Sequence, residues 1–189
     1  MNIIIFEGIA TSGKSTIIKR IQSALEEKLK IRVAGEEETH IPIMQDTDKL
    51  HPDFYLELLN KLTSEYPDLI IVDRFYLTQA FRAKSDLKPY EIVEDALQPY
   101  NPLTIYLCVD PGAIASRISE AVQHRGSEWG EYVATKGSSH EERAAYYIAQ
   151  QSSQVELLKQ SNLPYRIFDT SSHNYNQVAD KIIELLSLE

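Results

Sequence analysis

Residues 8–15 read Gly-Ile-Ala-Thr-Ser-Gly-Lys-Ser, which fits G-x-x-x-x-G-K-[ST] at every fixed position. These residue types suit the cradling of a polyphosphate. Gly8 and Gly13 can take positive φ, so the backbone N–H groups around Thr11, Ser12 and Gly13 can converge on an anion. Lys14 can reach the β- and γ-phosphates, and the Ser15 hydroxyl can join the shell of a Mg²⁺ ion. Ser15 and Thr16 then open a helix whose N-terminus favours negative charge. A loop of this kind gains nothing from a lysine at that place unless an anion is bound.

Other candidates for chemistry follow strand-like runs. Asp73 ends the apolar run Leu69-Ile70-Ile71-Val72 and is placed to act as the second acidic group around Mg²⁺, or to cap the helix that follows. Arg74 comes next, where a strand end would aim it at phosphates. Glu36, Glu37 and Glu38 end another short run; such a triplet is either a solvated loop or a carboxylate facing the acceptor. Glu37 is the preferred member, as general base or as a ligand for acceptor hydroxyls. Arg117, Arg125, Lys136 and Arg143 supply cations around a glycine-bearing segment. Phosphoryl transfer needs positive charge on the moving group, and Ile9–Ser12 offer none. The five histidines (40, 51, 124, 140 and 173) lack metal-ligand spacing and carry no role here.

The elements that must position these groups alternate. Strands are expected at residues 3–7, 31–35, 69–73, 103–109 and 165–169. Between them lie helical patterns, the first over residues 14–29 with Ile17, Ile18, Ile21, Ala24, Leu25 and Leu29 on one face. Further helices are expected at 54–66, from about 75, near 90–97, and after Asp110-Pro111, where Asp110 caps and Pro111 takes the first helical position. Ser138 or Ser139 with Glu141 or Glu142 forms a capping box for a helix to about residue 160, and the last helix covers 177–186. Residues 124–137 hold three glycines without periodicity and are expected to be a loop, the core of a lid at about 123–138. Continuous apolar strands alternating with helices give a five-stranded parallel sheet covered on both faces, with ligands beyond its carboxyl ends.

Composition bounds the partners. The chain has 189 residues, is 43% hydrophobic and carries 28 acidic against 19 basic residues, a net charge of −9. One domain over residues 1–189 is expected. A duplex binder relying on phosphate contacts is usually basic, so nucleic acid is not expected as a partner. No apolar run approaches the roughly 18 residues of a membrane span. The N-terminal Met1-Asn2-Ile3-Ile4-Ile5-Phe6 has neither a basic leader nor a cleavage site, so a cytoplasmic location is expected. The single cysteine, Cys108, reads as a small buried hydrophobe.

Several quoted runs match one family: Phe6-Glu7-Gly8 leading into Gly13-Lys14-Ser15-Thr16, then residues 73–81 reading Asp-Arg-Phe-Tyr-Leu-Thr-Gln-Ala-Phe. Gln98-Pro99, Asp110-Pro111 with Arg117-Ile118, and Asp169-Thr170-Ser171 continue the match over nearly the whole chain. The sequence resembles the thymidylate kinase-like branch of the P-loop nucleoside and nucleotide kinases. The resemblance implies a three-layer P-loop fold, ATP and Mg²⁺ as cofactors, a small-molecule phosphate acceptor, and room for a homodimer. By it, Arg74 would hold the acceptor or its phosphate and Arg117 would stack on adenine. Asp169, Thr170 and Ser171 would form the other side of the adenine pocket, and Arg125 would stand on the transferred phosphoryl.

The departures from the family lie on the acceptor side. Ala10 replaces a carboxylate, Glu36-Glu37-Glu38 replaces Arg-Glu-Pro, and the stretch from there to Asp73 is short, as is the run after Arg74. The acceptor therefore stays open between a nucleotide, a nucleoside and another small alcohol. A nucleotide-dependent switch or ATPase is the reading from a different class. No Asn-Lys-x-Asp guanine signature accompanies the loop.

Overall fold

Runs of Ile, Leu and Val with no polar interruption can be satisfied only by strands buried on both faces. The computed structural model describes residues 1–46, 49–124 and 126–186. In it, β1 (Asn2–Glu7), β2 (Ile31–Ala34), β3 (Leu69–Asp73), β4 (Pro102–Cys108) and β5 (Tyr165–Asp169) form one sheet of order β2-β3-β1-β4-β5. Every neighbouring pair is parallel. Each connection is therefore a crossover, and the helices fall on both faces.

Alternation along the strands separates the two cores. Ile3, Ile5, Ile70 and Val72 face one way, onto α3 (Pro52–Thr63), α4 (Tyr76–Arg82), α5 (Glu91–Leu97) and α8 (His140–Leu158). Ile4, Phe6, Ile71, Ile105 and Leu107 face the other way, onto α1 (Lys14–Leu25) and α9 (Tyr175–Leu185). Each fully buried aliphatic or aromatic side chain of this kind stabilises the fold by about 1.5–3 kcal/mol. A carboxylate at Ile4, which has no exposed surface, would break it.

Several expectations need correction. The first helix stops at Leu25 rather than residue 29, although Leu29 still packs on the core. Residues 124–137 are not an aperiodic loop, because α7 (Ser127–Ala134) lies within them after α6 (Pro111–His124). Trp129, Tyr132 and Val133 give α7 an apolar side that packs with Ile114, Ile118 and Tyr147, and this tertiary contact outweighs the glycines. Glu36–Thr39 is a helical turn, α2, rather than an extended strand end. Cys108 is only partly buried, with Sγ 3.4 Å from the Phe168 carbonyl, because β5 beyond it is an edge strand.

The capping box is realised as expected. Glu142 N donates to Ser139 Oγ at 3.2 Å, and the Glu142 carboxylate takes the Ser138 N–H at 2.7 Å. Asp110 caps α6 by accepting from Gly112 N at 2.8 Å. No helix among the described residues is long and apolar enough to cross a membrane.

Candidate functional site

The loop between β1 and α1 turns through three residues of positive φ: Gly8 (139°), Thr11 (70°) and Gly13 (91°). Gly8 has no room for a side chain, since a Cβ there would lie 2.5 Å from the Leu107 carbonyl oxygen. Lys14 folds back over the loop and donates to the carbonyls of Gly8 at 3.0 Å and Ile9 at 3.1 Å. Burial first, and then the nearby Arg74 charge, lower its pKa to about 8. A buried ammonium whose hydrogen bonds go to two loop carbonyls is well suited to exchange them for phosphate oxygens.

Asp73 ends β3 beside this loop and is 7% exposed. Burial pushes its carboxyl pKa up. Among the described residues, its Oδ1 is buried with no hydrogen-bond partner. The helix after it starts beyond Phe75, so Asp73 is not its cap. The orphaned, buried carboxylate oxygen of Asp73 and the exposed Ser15 at the start of α1 are hard oxygen donors of the kind Mg²⁺ takes when phosphates and water supply the rest. Ser15 and Asp73 therefore fit the metal that the sequence implies.

Arg74 adopts φ 64°, unusual for a side chain other than glycine. Glu7, the last residue of β1, holds that turn. Its Oε1 accepts from Phe75 N at 2.9 Å and Leu77 N at 3.1 Å, capping α4 from a neighbouring strand. The Arg74 guanidinium then spans the site. Nε donates to Glu36 Oε1 at 2.6 Å, and Nη1 donates to the Gly8 carbonyl at 3.0 Å and to Thr78 Oγ1 at 3.3 Å. Against the upward push of burial, Arg74 and then Lys14 hold the Glu36 carboxyl down to about 2.

The three glutamates thus divide. Glu36 reaches Arg74, Glu37 is exposed, and Glu38 turns outward to Arg32 at 2.6 Å and Lys61 at 2.9 Å. The carboxylate at the site is Glu36, one residue before the one favoured by sequence, because the helical turn of α2 rotates the triplet into different directions.

Three cavities meet around the loop. A cleft of 50 Å³ over the P-loop is walled by Ala10, Gly13, Lys14, Ser15, Glu36 and Arg74. Beside it opens a cavity of 420 Å³ lined by the same Ala10, Glu36 and Arg74. Aromatic rings (Trp129, Tyr132, Tyr146 and Tyr147) and the polar His40, Arg82, Glu128 and Gln150 are also among its walls. Burial, then Arg74 and Arg82, push the His40 pKa down to about 3, so its ring is neutral at physiological pH. On the other side of the loop, a hollow of 190 Å³ lies between Thr16, Arg117, Glu120, His173 and Tyr175. A larger open groove between α4 and α8, of 570 Å³, holds none of these groups.

The fold is a three-layer α/β fold that solved P-loop kinase structures share. The chain is similar to the YorR protein of Bacillus subtilis, a structure in complex with phosphorylated GDP, with TM-score 0.70, 21% identity, and 99% and 96% of the two chains covered. It is similar to deoxyadenosine kinase from M. mycoides with the products dCMP and dCDP, with TM-score 0.55, 20% identity and 97% of each chain covered. It is also similar to shikimate kinase from Bacteroides thetaiotaomicron, with TM-score 0.61, 16% identity and 99% of each chain covered. No protein-family model and no curated protein matches the sequence.

The structure brings most of the sequence-derived residues together. Arg117 is buried, donates to the carbonyls of Thr11 at 3.1 Å and of Thr170, and lies 5.8 Å from the Tyr175 ring centroid. Thr170 binds the Ser12 carbonyl at 2.9 Å. Asp169 and Ser171 instead bond to each other at the surface and line none of the three cavities. Lys136 sits over the Tyr132 and Tyr146 rings at 4.5 and 5.4 Å, and Arg143 donates to the Gly137 carbonyl at 2.8 Å. Arg125 lies outside the described residues.

Sequence reasoning passed over Glu7, His40, Thr78, Arg82, Gln150 and Tyr175. The lone tryptophan of the chain, in a charged stretch, was the one visible signal for the aromatic wall.

Proposed function

We propose that this protein is an ATP- and Mg²⁺-dependent phosphotransferase acting on a nucleotide or nucleoside, with thymidylate kinase-like chemistry. One observation carries the reading: Ala10, Glu36 and Arg74 wall both the phosphate cleft and the 420 Å³ cavity, so the two share a boundary. A phosphoryl group held over Lys14 would face a molecule in the larger cavity across that boundary, which is the proximity transfer requires. The aromatic walls and the Gln150 amide suit a planar ring with a hydrogen-bonding edge better than a small polyol. The ligands of two structural neighbours, phosphorylated GDP and dCMP with dCDP, support the same class.

In this reading Lys14 neutralises charge on the β–γ bridge, and Arg117 with Tyr175 flanks the donor base. Mg²⁺, held by Ser15 and Asp73, would supply charge neutralisation on the polyphosphate. Glu36 orients the acceptor hydroxyl, Arg74 holds the acceptor or its phosphate, and Arg125 stands on the transferred phosphoryl. All 189 residues act as one domain, in the cytoplasm, with a homodimer allowed.

The test is a thermal-shift screen of nucleosides, nucleotides, sugars and other small alcohols, followed by ATP turnover with and without each hit. Transfer to a nucleoside or nucleotide supports the reading. Transfer only to another alcohol replaces the acceptor class. Steady turnover needing no acceptor overturns the kinase in favour of an ATPase or switch.

A further inference from the structure

A chain of buried side chains runs from β4 to Arg74. Tyr106 on β4 donates through its hydroxyl to Gln154 Oε1 at 3.0 Å. Gln154 Nε2 donates to Thr78 Oγ1 at 3.0 Å, and Arg74 Nη1 donates to the same oxygen at 3.3 Å. With both N–H groups pointing at it, the Thr78 oxygen must send its own hydrogen elsewhere, and Glu7 Oε2 at 3.4 Å accepts it. Tyr106 and Gln154 have no exposed surface, Glu7 has 1% and Thr78 has 3%. Every polar atom named in this chain has its partner.

Docking of α8 does not need this chain. Gln151, on the same helix, already pins α8 to the end of β4, accepting from Val109 N at 2.8 Å and donating to Val109 O at 2.7 Å. A leucine at position 154 would fill similar volume beside Leu157 and Leu158 without the desolvation a buried amide costs. What leucine could not do is hold Thr78 and, through it, one arm of the guanidinium. We propose that Gln154 is a positioning residue for phosphoryl transfer: acting through Thr78, it fixes Arg74 at the wall shared by the phosphate cleft and the acceptor cavity. This rests on the kinase reading for its kinetic consequence, whereas the geometry it asserts does not.

The experiment compares Gln154→Leu with Gln151→Leu, both checked for folding by thermal denaturation. In the ligand-free protein, solvent exchange of the Arg74 Nη1 protons, which face Thr78 Oγ1, is followed by NMR. It is expected to speed up in Gln154→Leu and to stay near wild type in Gln151→Leu. With a working acceptor, Gln154→Leu is expected to lower kcat by about 10-fold or more with the KM for ATP little changed, and to add nothing in an Arg74→Met background.

Thr78→Ser should keep, and Thr78→Val lose, both properties, which covers the case of a Gln154→Leu protein that fails to fold. Unchanged Arg74 exchange in Gln154→Leu or Thr78→Val, the same behaviour in Gln151→Leu, or additive kinetic effects would overturn the proposal. If the wild type phosphorylates no acceptor, it is the kinase reading that fails, and the exchange measurement still decides the positioning role.

Discussion

Glu36 Oε1 and Arg74 Nε lie 2.6 Å apart although the two residues are 38 positions apart in sequence. The pair bridges the ends of β2 and β3, at the boundary between the cleft over the P-loop and the aromatic cavity. A charge-assisted contact of this kind fixes the guanidinium plane and keeps the carboxylate ionised. The Glu36 side chain is still 42% exposed, so an acceptor can approach it.

That pair gives the first expectation. Glu36→Gln should cut transfer about 10²-fold or more, on the scale of a lost catalytic carboxylate, while Glu37→Gln stays near wild type. Equal losses in the two variants would return the role to the triplet as a whole. The pH dependence has a definite sign. The Glu36 carboxyl is held at about 2 in the folded protein against an ordinary 4.5, so its contribution to stability is complete above 4.5 and is lost as pH falls toward 2. Acid denaturation of Glu36→Gln should lack that component.

Lys14→Ala is expected to abolish transfer with the fold intact. Titration makes a finer claim. Because the folded pKa of Lys14 is about 8 against 10.5 unfolded, ligand-free stability gains from this residue as pH rises from about 8 to 10.5. A bound polyphosphate favours the ammonium, so ATP binding above pH 8 should take up a proton. Calorimetry in buffers of different ionisation enthalpy measures this, and Lys14→Met should show no uptake.

Asp73→Asn should separate stability from activity. Burial raises the pKa of this carboxyl, so its stabilising contribution is complete below the unfolded pKa and is lost as pH rises through the folded one, leaving the charged form to work against folding. The variant is expected to raise the Tm of the ligand-free protein while turnover and Mg²⁺ dependence fall far more than ATP affinity. A lower Tm with unchanged metal titration would make Asp73 a structural residue.

Trp129 provides a direct report on the larger cavity, being the only tryptophan in the chain and part of its wall. Acceptor ligands should shift or quench its emission, and ATP alone should do so far less. Trp129→Phe should remove the signal. A response to ATP alone would place the donor in that cavity instead.

Arg125 is the lid cation proposed to meet the charge developing on the transferred group. Arg125→Ala is expected to lower kcat about 10²-fold or more with a smaller effect on ATP binding. Arg143→Ala is the comparison, since the Arg143 guanidinium is tied to the Gly137 carbonyl. Near-wild-type turnover in both would remove catalysis from residues 124–143.

The sequence by itself determined what depends on contiguous residues. The loop from Gly8 to Ser15, the five apolar strands, the capping box at Ser139 and the place of Asp73 at a strand end are all local patterns, and the structure follows them. Short-range sterics and burial periodicity decide such features, so one stretch of chain contains the answer. Only the tertiary structure decided which glutamate faces Arg74, because a single helical turn at Glu36–Thr39 rotates adjacent side chains apart. It likewise made α7 a helix by giving Trp129, Tyr132 and Val133 a surface to pack on. The route from Tyr106 through Gln154 and Thr78 to Arg74 joins residues up to 76 positions apart. No spacing rule reaches that far, since such contacts exist only after the sheet has set the register of its strands.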